Sequence, residues 1–196
     1  QDQVASLSTA LLLSLRGTPC IYQGEELGLG ESEIAYEDLK DPFGIEFWPD
    51  IPGRDGCRTP MPWTEKDPNC GFNGGEKTWL PIPDAHRSLS VEVQEPVSES
   101  SLNRFRRLLA MRSQEPALQV GDLDLLDSDG EVLAYERSFD GEAIQCYFNL
   151  SSEPKSLEVF GLQESRVFDG STPTWQDAPA GLGLEPWGWV WLRKPS

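Results

Sequence analysis

Apolar positions over residues 2–15 recur at helical spacing. Val4, Leu7, Leu11 and Leu15 form one stripe, and Leu12 and Leu13 widen it. A stripe that broad belongs to a helix packed against another layer. Gly17-Thr18-Pro19 stops the helix. Cys20-Ile21-Tyr22 is then a short apolar run between turn residues, which predicts a buried parallel strand over 19–22. Gln23-Gly24-Glu25-Glu26 follows and places two carboxylates at the strand's carboxyl end. From Gly30 to about Pro96 the periodicity vanishes and Pro, Gly, Asp and Trp dominate, with turn signals at Asp41-Pro42, Trp48-Pro49, Pro52-Gly53 and Gly74-Gly75. Glu33 to Leu39 is expected to form a short helix, and Trp48, Trp63, Phe72 and Trp79 to anchor the loop.

Helical spacing returns over Ser98 to Gln114. Ser98 or Ser100 can cap this helix, and Leu102, Phe105, Leu108, Leu109 and Met111 make the expected buried face. Arg104, Arg106, Arg107 and Arg112 are read as a solvated face. After Pro116 the period becomes two. Strands are predicted over 122–127, 131–139, 142–150, 157–160, 165–168 and 187–192, with Asp129-Gly130 and Asp140-Gly141 as hairpin signals. These make a small antiparallel sandwich. Asp127-Ser128-Asp129-Gly130 resembles the start of a calcium loop, but the twelfth position is Ser138 rather than a bidentate Glu, which excludes calcium there.

Net charge changes the picture of partners. With 33 acidic and 16 basic residues the formal charge is −17, which repels phosphate backbones and anionic lipid. Neither nucleic acid nor membrane is an expected partner, and no apolar run approaches the roughly 20 residues of a spanning helix. Cys20, Cys57, Cys70 and Cys146 show no paired spacing, and His86 is the only histidine, so neither a metal site nor a cofactor is expected. Cys20 is expected to be a buried thiol, and a Cys57–Cys70 bridge is left open. A reducing, cytoplasmic compartment is the expectation.

Two stretches carry a resemblance. Gly17-Thr18-Pro19 with Ile21-Tyr22-Gln23-Gly24-Glu25-Glu26 resembles the eighth barrel strand of the alpha-amylase superfamily, glycoside hydrolase family thirteen. Gly53-Arg54-Asp55-Gly56-Cys57-Arg58-Thr59-Pro60-Met61-Pro62-Trp63 resembles the segment marking its alpha-glucosidase and oligo-1,6-glucosidase branch. The implied fold class is α/β plus all-β. Residues 1–115 would be the end of a (β/α)8 TIM barrel, with its last strand, a long active-site loop over 30–96 and a closing helix. Residues 116–196 would be an antiparallel Greek-key β-sandwich. A complete barrel usually needs about 250 residues, so the chain reads as the carboxyl-terminal portion of a longer one. The rest of the barrel, or self-association, is expected to support it.

The resemblance implies a retaining alpha-glucosidase acting on short alpha-glucoside oligosaccharides. Its alternatives are a transglycosylase of the sucrose isomerase or amylosucrase-like kind, and a non-catalytic barrel relative serving as an interaction module. The compact stretch over 31–53 leaves the linkage preference open. Retaining glycosidases need two carboxyl groups about 5 Å apart. Glu25 and Glu26, as neighbours on an extended strand, would point in opposite directions and could not be that pair. The family's catalytic acids follow earlier strands, so no catalytic residue is assigned and the chain alone is expected to be inactive. Glu26 and Arg54 match substrate-binding positions of the family. A carboxylate accepts sugar hydroxyls and a guanidinium offers a rigid fork of donors; the two could also pair and gate the pocket mouth. Glu25, Asp55 and Arg58 are read as structural, with Arg58 bonding backbone carbonyls.

Overall fold

Alternating apolar residues after Pro116 form ladders as expected, but in a sheet whose two faces are both covered. The structure, a computed structural model, describes residues 2–128, 130–159, 166–170, 174–177 and 180–194. The chain divides into two units, one of residues 2–20 with 105 onward, the other of residues 21–104.

Among the described residues, the first unit holds α1 (Asp2–Ser14), most of α5 (Ser101–Gln114), α6 (Pro116–Gln119) and eight strands: β1 (Asp122–Leu125), β2 (Val132–Phe139), β3 (Glu142–Asn149), β4 (Lys155–Glu158), β5 (Arg166–Gly170), β6 (Thr174–Asp177), β7 (Ala180–Leu184) and β8 (Trp189–Arg193). The order is β1-β2-β3-β8-β5 in one sheet and β4-β7-β6 in the other, with every pairing antiparallel. Asp140 and Gly141 both take positive φ, 49° and 85°, the tight turn that joins β2 to β3. Strands β6 and β7 have no counterpart among the expected elements. Phe160, Ser165 and Asp129, which the sequence assigns to strand ends and a turn, lie outside the described residues.

One face of the larger sheet presents Val132, Ala134, Tyr147, Val190 and Leu192 to Leu157, Leu182 and Leu184 of the smaller sheet. The opposite face presents Tyr135, Arg137, Cys146, Trp189 and Trp191, all essentially buried, to the helices. Both faces of β3 and β8 are therefore apolar, and their alternation disappears.

Helix α1 sits on that second face through small and polar residues. Ser14 Oγ is 2.6 Å from Tyr135 Oη, and Trp189 Nε1 donates to Ser6 Oγ at 2.9 Å. The buried positions are Leu7, Ala10, Leu13 and Ser14, whereas Val4 and Leu15 are exposed. The expected stripe is thus rotated, because hydrogen bonds rather than leucine area set the contact. Two guanidinium groups close the carboxyl end of α1. Arg112 donates to the carbonyls of Leu13, Leu15 and Gly17. Arg137 donates to those of Ser14, Leu118, Gly121 and Asp122. The solvated reading of Arg112 is corrected: it is buried, since only a long, five-donor side chain reaches these carbonyls. Arg107 also leaves the solvated set, pairing with Asp169 at 2.9 Å.

Residues 18–22, which run from the end of 2–20 in the first unit into the start of the second, form no strand, because a lone extended segment has no neighbour to complete a ladder. Cys20 is exposed there rather than buried. The 30–96 stretch is not structureless. It contains α2 (Pro42–Glu46), α3 (Asp84–Arg87), α4 (Val91–Gln94) and single 3-10 turns, one of which, Tyr36–Asp38, falls where a short helix is expected. Ile34, Leu39 and Leu80 form its apolar cluster. Trp48, Trp63, Phe72 and Trp79 remain 40–50% exposed, so they are not the anchors expected of them.

Replacing Arg137 by Met should strip donors from four carbonyls in a buried place. A loss of about 3–5 kcal/mol is expected. Urea titration checks it: the midpoint falls while the slope stays constant. Arg137→Lys should recover little, since an ammonium lacks the planar fork.

Candidate functional site

The residues that follow Tyr22 and those around the Arg54-Asp55-Gly56 stretch face each other across a cleft of about 190 Å³. Tyr22, Glu25, Leu29, Gly56, Thr59 and Met61 are among its lining residues. Backbone and side-chain bonds tie the walls together: Ser32 N–H to Gly56 O at 3.1 Å and Gln23 Nε2 to Thr59 O at 3.2 Å. His86, from α3, is buried beside them. Its Nε2 lies 2.9 Å from the Gly30 carbonyl and 3.2 Å from Ser32 Oγ, and its Nδ1 lies 3.2 Å from Thr59 Oγ1. A carbonyl only accepts, so Nε2 carries the proton.

Arg54 is fixed by an acid that sequence reasoning passed over. Asp41 is 2% exposed and caps α2, accepting from Phe43 N–H at 3.3 Å with Pro42 at the first helical position. Its two oxygens also take the Arg54 backbone N–H at 2.8 Å, Nε at 2.9 Å and Nη2 at 2.8 Å. This is a bidentate fork, the strong form of such a pair. It is possible because Gly53 (φ +79°) meets Gly44 so closely that a Cβ would lie 2.7 Å from the Gly44 Cα. The Arg54 side chain nevertheless stays 63% exposed, and Nη1 makes no hydrogen bond to a described residue. The arrangement presents spare donors from an ion pair that is neutral as a whole. The hydrogen bonds from Arg54 hold the Asp41 carboxyl well below the ordinary carboxylate range, and Asp41 in turn raises the guanidinium.

The two expected site residues are not brought together. Glu26 lies in a 3-10 turn, Glu25–Leu27, and its Oε2 accepts from Gly24 N–H at 2.8 Å. Glu25 folds back on Tyr22 N–H at 3.1 Å. The pairing of Glu26 with Arg54 is corrected, because Asp41 occupies the guanidinium. The extended geometry assumed for Glu25 and Glu26 is corrected too: they sit on a turn, and it is Glu25 that lines the cleft. Arg58 makes no hydrogen bond through its side chain to a described residue, contrary to expectation. Asp55 is structural as read: buried, with Oδ2 accepting from the N–H groups of Lys40 and Asp41 at 2.6 and 2.7 Å. All four cysteines are free, which closes the question of a Cys57–Cys70 bridge. Among the described residues, no three His, Cys, Asp or Glu side chains converge as a metal site would require. Asp41-Pro42 carried a readable helix-start signal, but nothing in it pointed thirteen residues ahead to Arg54.

Comparisons with known proteins identify the family. Residues 1–121 match the family described as alpha amylase, catalytic domain. The chain is 49% identical over 158 residues to a probable alpha-glucosidase of Rhizobium meliloti (strain 1021), covering 81% of this chain and 28% of that protein. It is 37% identical over 163 residues to the trehalose synthase/amylase TreS of Mycobacterium tuberculosis (strain CDC 1551 / Oshkosh), covering 78% of this chain and 24% of that protein. Among solved structures, an alpha-glucosyl transfer enzyme, XgtA, matches with a TM-score of 0.88 at 41% identity, covering 100% of this chain and 36% of that one. The chain therefore spans about a quarter to a third of the length of these relatives.

Asp41 makes a pH prediction. Its folded value is depressed, so its contribution is fully present above the ordinary carboxylate pKa, about 3.9, and is lost as pH falls through the lower folded value. Thermal melts of wild type and Asp41→Asn should differ by a constant amount above about pH 5 and converge below about pH 4. A gap that persists undiminished at the lowest accessible pH contradicts the pairing.

Proposed function

The chain belongs to the alpha-amylase family, and from that premise we propose that it is the carboxyl-terminal part of a retaining alpha-glucosidase that releases terminal alpha-linked glucose from short oligosaccharides. The observation that carries this reading is the forked Arg54–Asp41 pair, an exposed donor set with no net charge, set in the stretch that resembles the alpha-glucosidase branch. Sugar hydroxyls are neutral and accept from such donors without requiring a counter-charge. Glu26 supplies the acceptor partner in the same reading. The division into a barrel portion over 1–115 and a Greek-key domain over 116–196 belongs to this proposal. So do the support of residues 1–115 by the rest of the barrel or by self-association, and the absence of a cofactor. A cytoplasmic setting is supported by four free thiols. Among the described residues no helix is long and apolar enough to cross a membrane.

Glucosyl transfer is a second reading, favoured by the 41% identity to an alpha-glucosyl transfer enzyme over the whole chain. Both reactions proceed through one glucosyl-enzyme and differ in whether water or a sugar accepts the glucose. Product analysis of the full-length protein with maltose separates them: free glucose alone indicates hydrolysis, whereas new glucosides indicate transfer.

The purified chain should not turn over p-nitrophenyl alpha-glucoside, since the catalytic carboxylates of the family fall outside it. Measurable turnover would return attention to Glu25, Glu26 and Asp55. In the full-length protein, Arg54→Ala should lower kcat/KM for maltose by roughly 10- to 150-fold, the loss of one charge-assisted hydrogen bond. The loss should be much smaller for the aryl glucoside, which lacks the second sugar. Glu26→Gln should follow the same pattern. Equal losses on both substrates with a lowered Tm would mean that these residues only brace the loop.

A further inference from the structure

One exposed segment carries chemistry that the carbohydrate reading does not use. Asn73-Gly74 is the only Asn-Gly pair in a chain with four asparagines. Residues 71–77 are all exposed, between a 3-10 turn (Pro68–Gly71) and α3. The Asn73 side chain is nevertheless held in one place. Its Oδ1 accepts from Asn69 Nδ2 at 2.8 Å and from the Gly75 N–H at 3.0 Å. Asn69 Nδ2 also donates to the Gly75 carbonyl at 2.8 Å.

The anchor of this ring of bonds is firm. Asn69 and Cys70 are consecutive non-glycine residues at φ 52° and 50°. Few residues other than glycine adopt that conformation, and it persists only where the surroundings enforce it. Here Cys70 is fully buried, and its carbonyl accepts from the Trp63 and Thr64 N–H groups. Two groups are free in the same place: Asn73 Nδ2 and the Gly74 N–H donate to no described residue. A Cβ on Gly74 would meet nothing within 4 Å, so its nitrogen is open to approach. The bond from Gly75, two residues on, turns the Asn73 carboxamide toward the chain that follows it and brings Cγ to the Gly74 nitrogen. Both hydrogen bonds fall on the oxygen where negative charge develops when a nucleophile adds to Cγ, which is how donors hold an oxyanion.

We propose that Asn73 is a site of spontaneous covalent modification in the folded protein, by way of a cyclic imide closed on Gly74. The Gly74 nitrogen gives its proton to solvent base and bonds to Cγ. The Cγ–Nδ2 bond breaks, and the side-chain nitrogen takes a proton from water and leaves as ammonia. Water then opens the imide at one of its two carbonyls. Cleavage of the new bond to Cγ gives aspartate; cleavage of the old bond to the Asn73 main-chain carbonyl gives isoaspartate. Either product adds a negative charge to the formal −17. Aspartate keeps a side-chain oxygen for Asn69 and Gly75, whereas isoaspartate carries the main chain through Cγ, adds a methylene to the loop and shifts that oxygen against Asn69.

The test incubates the whole folded chain in mildly alkaline buffer and follows the tryptic peptide over residues 67–77 by fragmentation mass spectrometry, with isoaspartate read by enzymatic carboxyl methylation. Asn73 should gain one mass unit with first-order kinetics and yield isoaspartate among its products, while Asn69, Asn103 and Asn149 stay unchanged. Gly74→Ala should slow the conversion about tenfold or more, since a methyl group beside the nitrogen hinders its approach to Cγ. The same variant should keep its Tm, because the added Cβ enters open space. A synthetic peptide of residues 67–77 supplies the rate without the fold, and the folded chain should convert at least as fast. If the fold preserves Asn73 while the peptide converts, the loop protects the site and the proposal is overturned. It is overturned equally if Gly74→Ala converts as fast as wild type, or if aspartate forms with no isoaspartate, because water then hydrolyses the amide directly.

Discussion

Seven backbone carbonyls converge on two buried guanidinium groups, and the sheet-bearing unit depends on that convergence. The last carbonyls of a helix have no partner within it, and they carry the negative end of its dipole. In α1 the bonds made by the Leu13 and Ser14 carbonyls are buried. Arg112 and Arg137 satisfy them and bring positive charge to the negative end. Burial lowers both guanidinium values, and for Arg137 the charge of Arg112 lowers it further. Neither makes an ion pair with a carboxylate among the described residues, so helix and sheet are joined by charge–dipole contacts rather than by a salt bridge.

The other unit solves a different problem. Among the described residues, Ile34, Leu39 and Leu80 form an apolar cluster there, and several of its large aromatic residues are half exposed. Order comes instead from buried polar groups that each hold two or more distant segments. Asp55 binds the 40–41 backbone, Asp41 binds Arg54, His86 joins the 30–32 and 59 stretches, and Gln94 joins Leu27, Leu89 and Leu102. A satisfied buried group costs little, whereas an orphaned one costs about 1–3 kcal/mol, so such pins act cooperatively. They also leave rim side chains free. The Arg54 guanidinium is oriented on one edge and open on the other, which is the condition a binding group must meet.

Much of the architecture was legible from residue order. Both long helices, the antiparallel strands after Pro116 and the Asp140-Gly141 turn follow from periodicity and turn chemistry, which act over a few residues and need no partner. The family was legible as well, because Gly53 to Trp63 is a long, ordered set of residue types. Strands β6 and β7 were not, since β7 is rich in glycine and short strands carry weak patterns.

Tertiary structure alone decided the rest, for reasons of reach. Arg112 carries the same sequence signal as a solvated helical arginine, and only folding brings the end of α1 to it. The stripe of α1 is turned toward Ala10 and Ser14 because Tyr135, far along the chain, supplies a hydroxyl. The 19–22 segment lacks a ladder although its composition suits one, because a strand is a property of a pair. Arg54 could be chosen from its motif, but its partner could not: an ion pair is set by distance in space, and the close passage of Gly44 and Gly53 puts Asp41 there instead of Glu26.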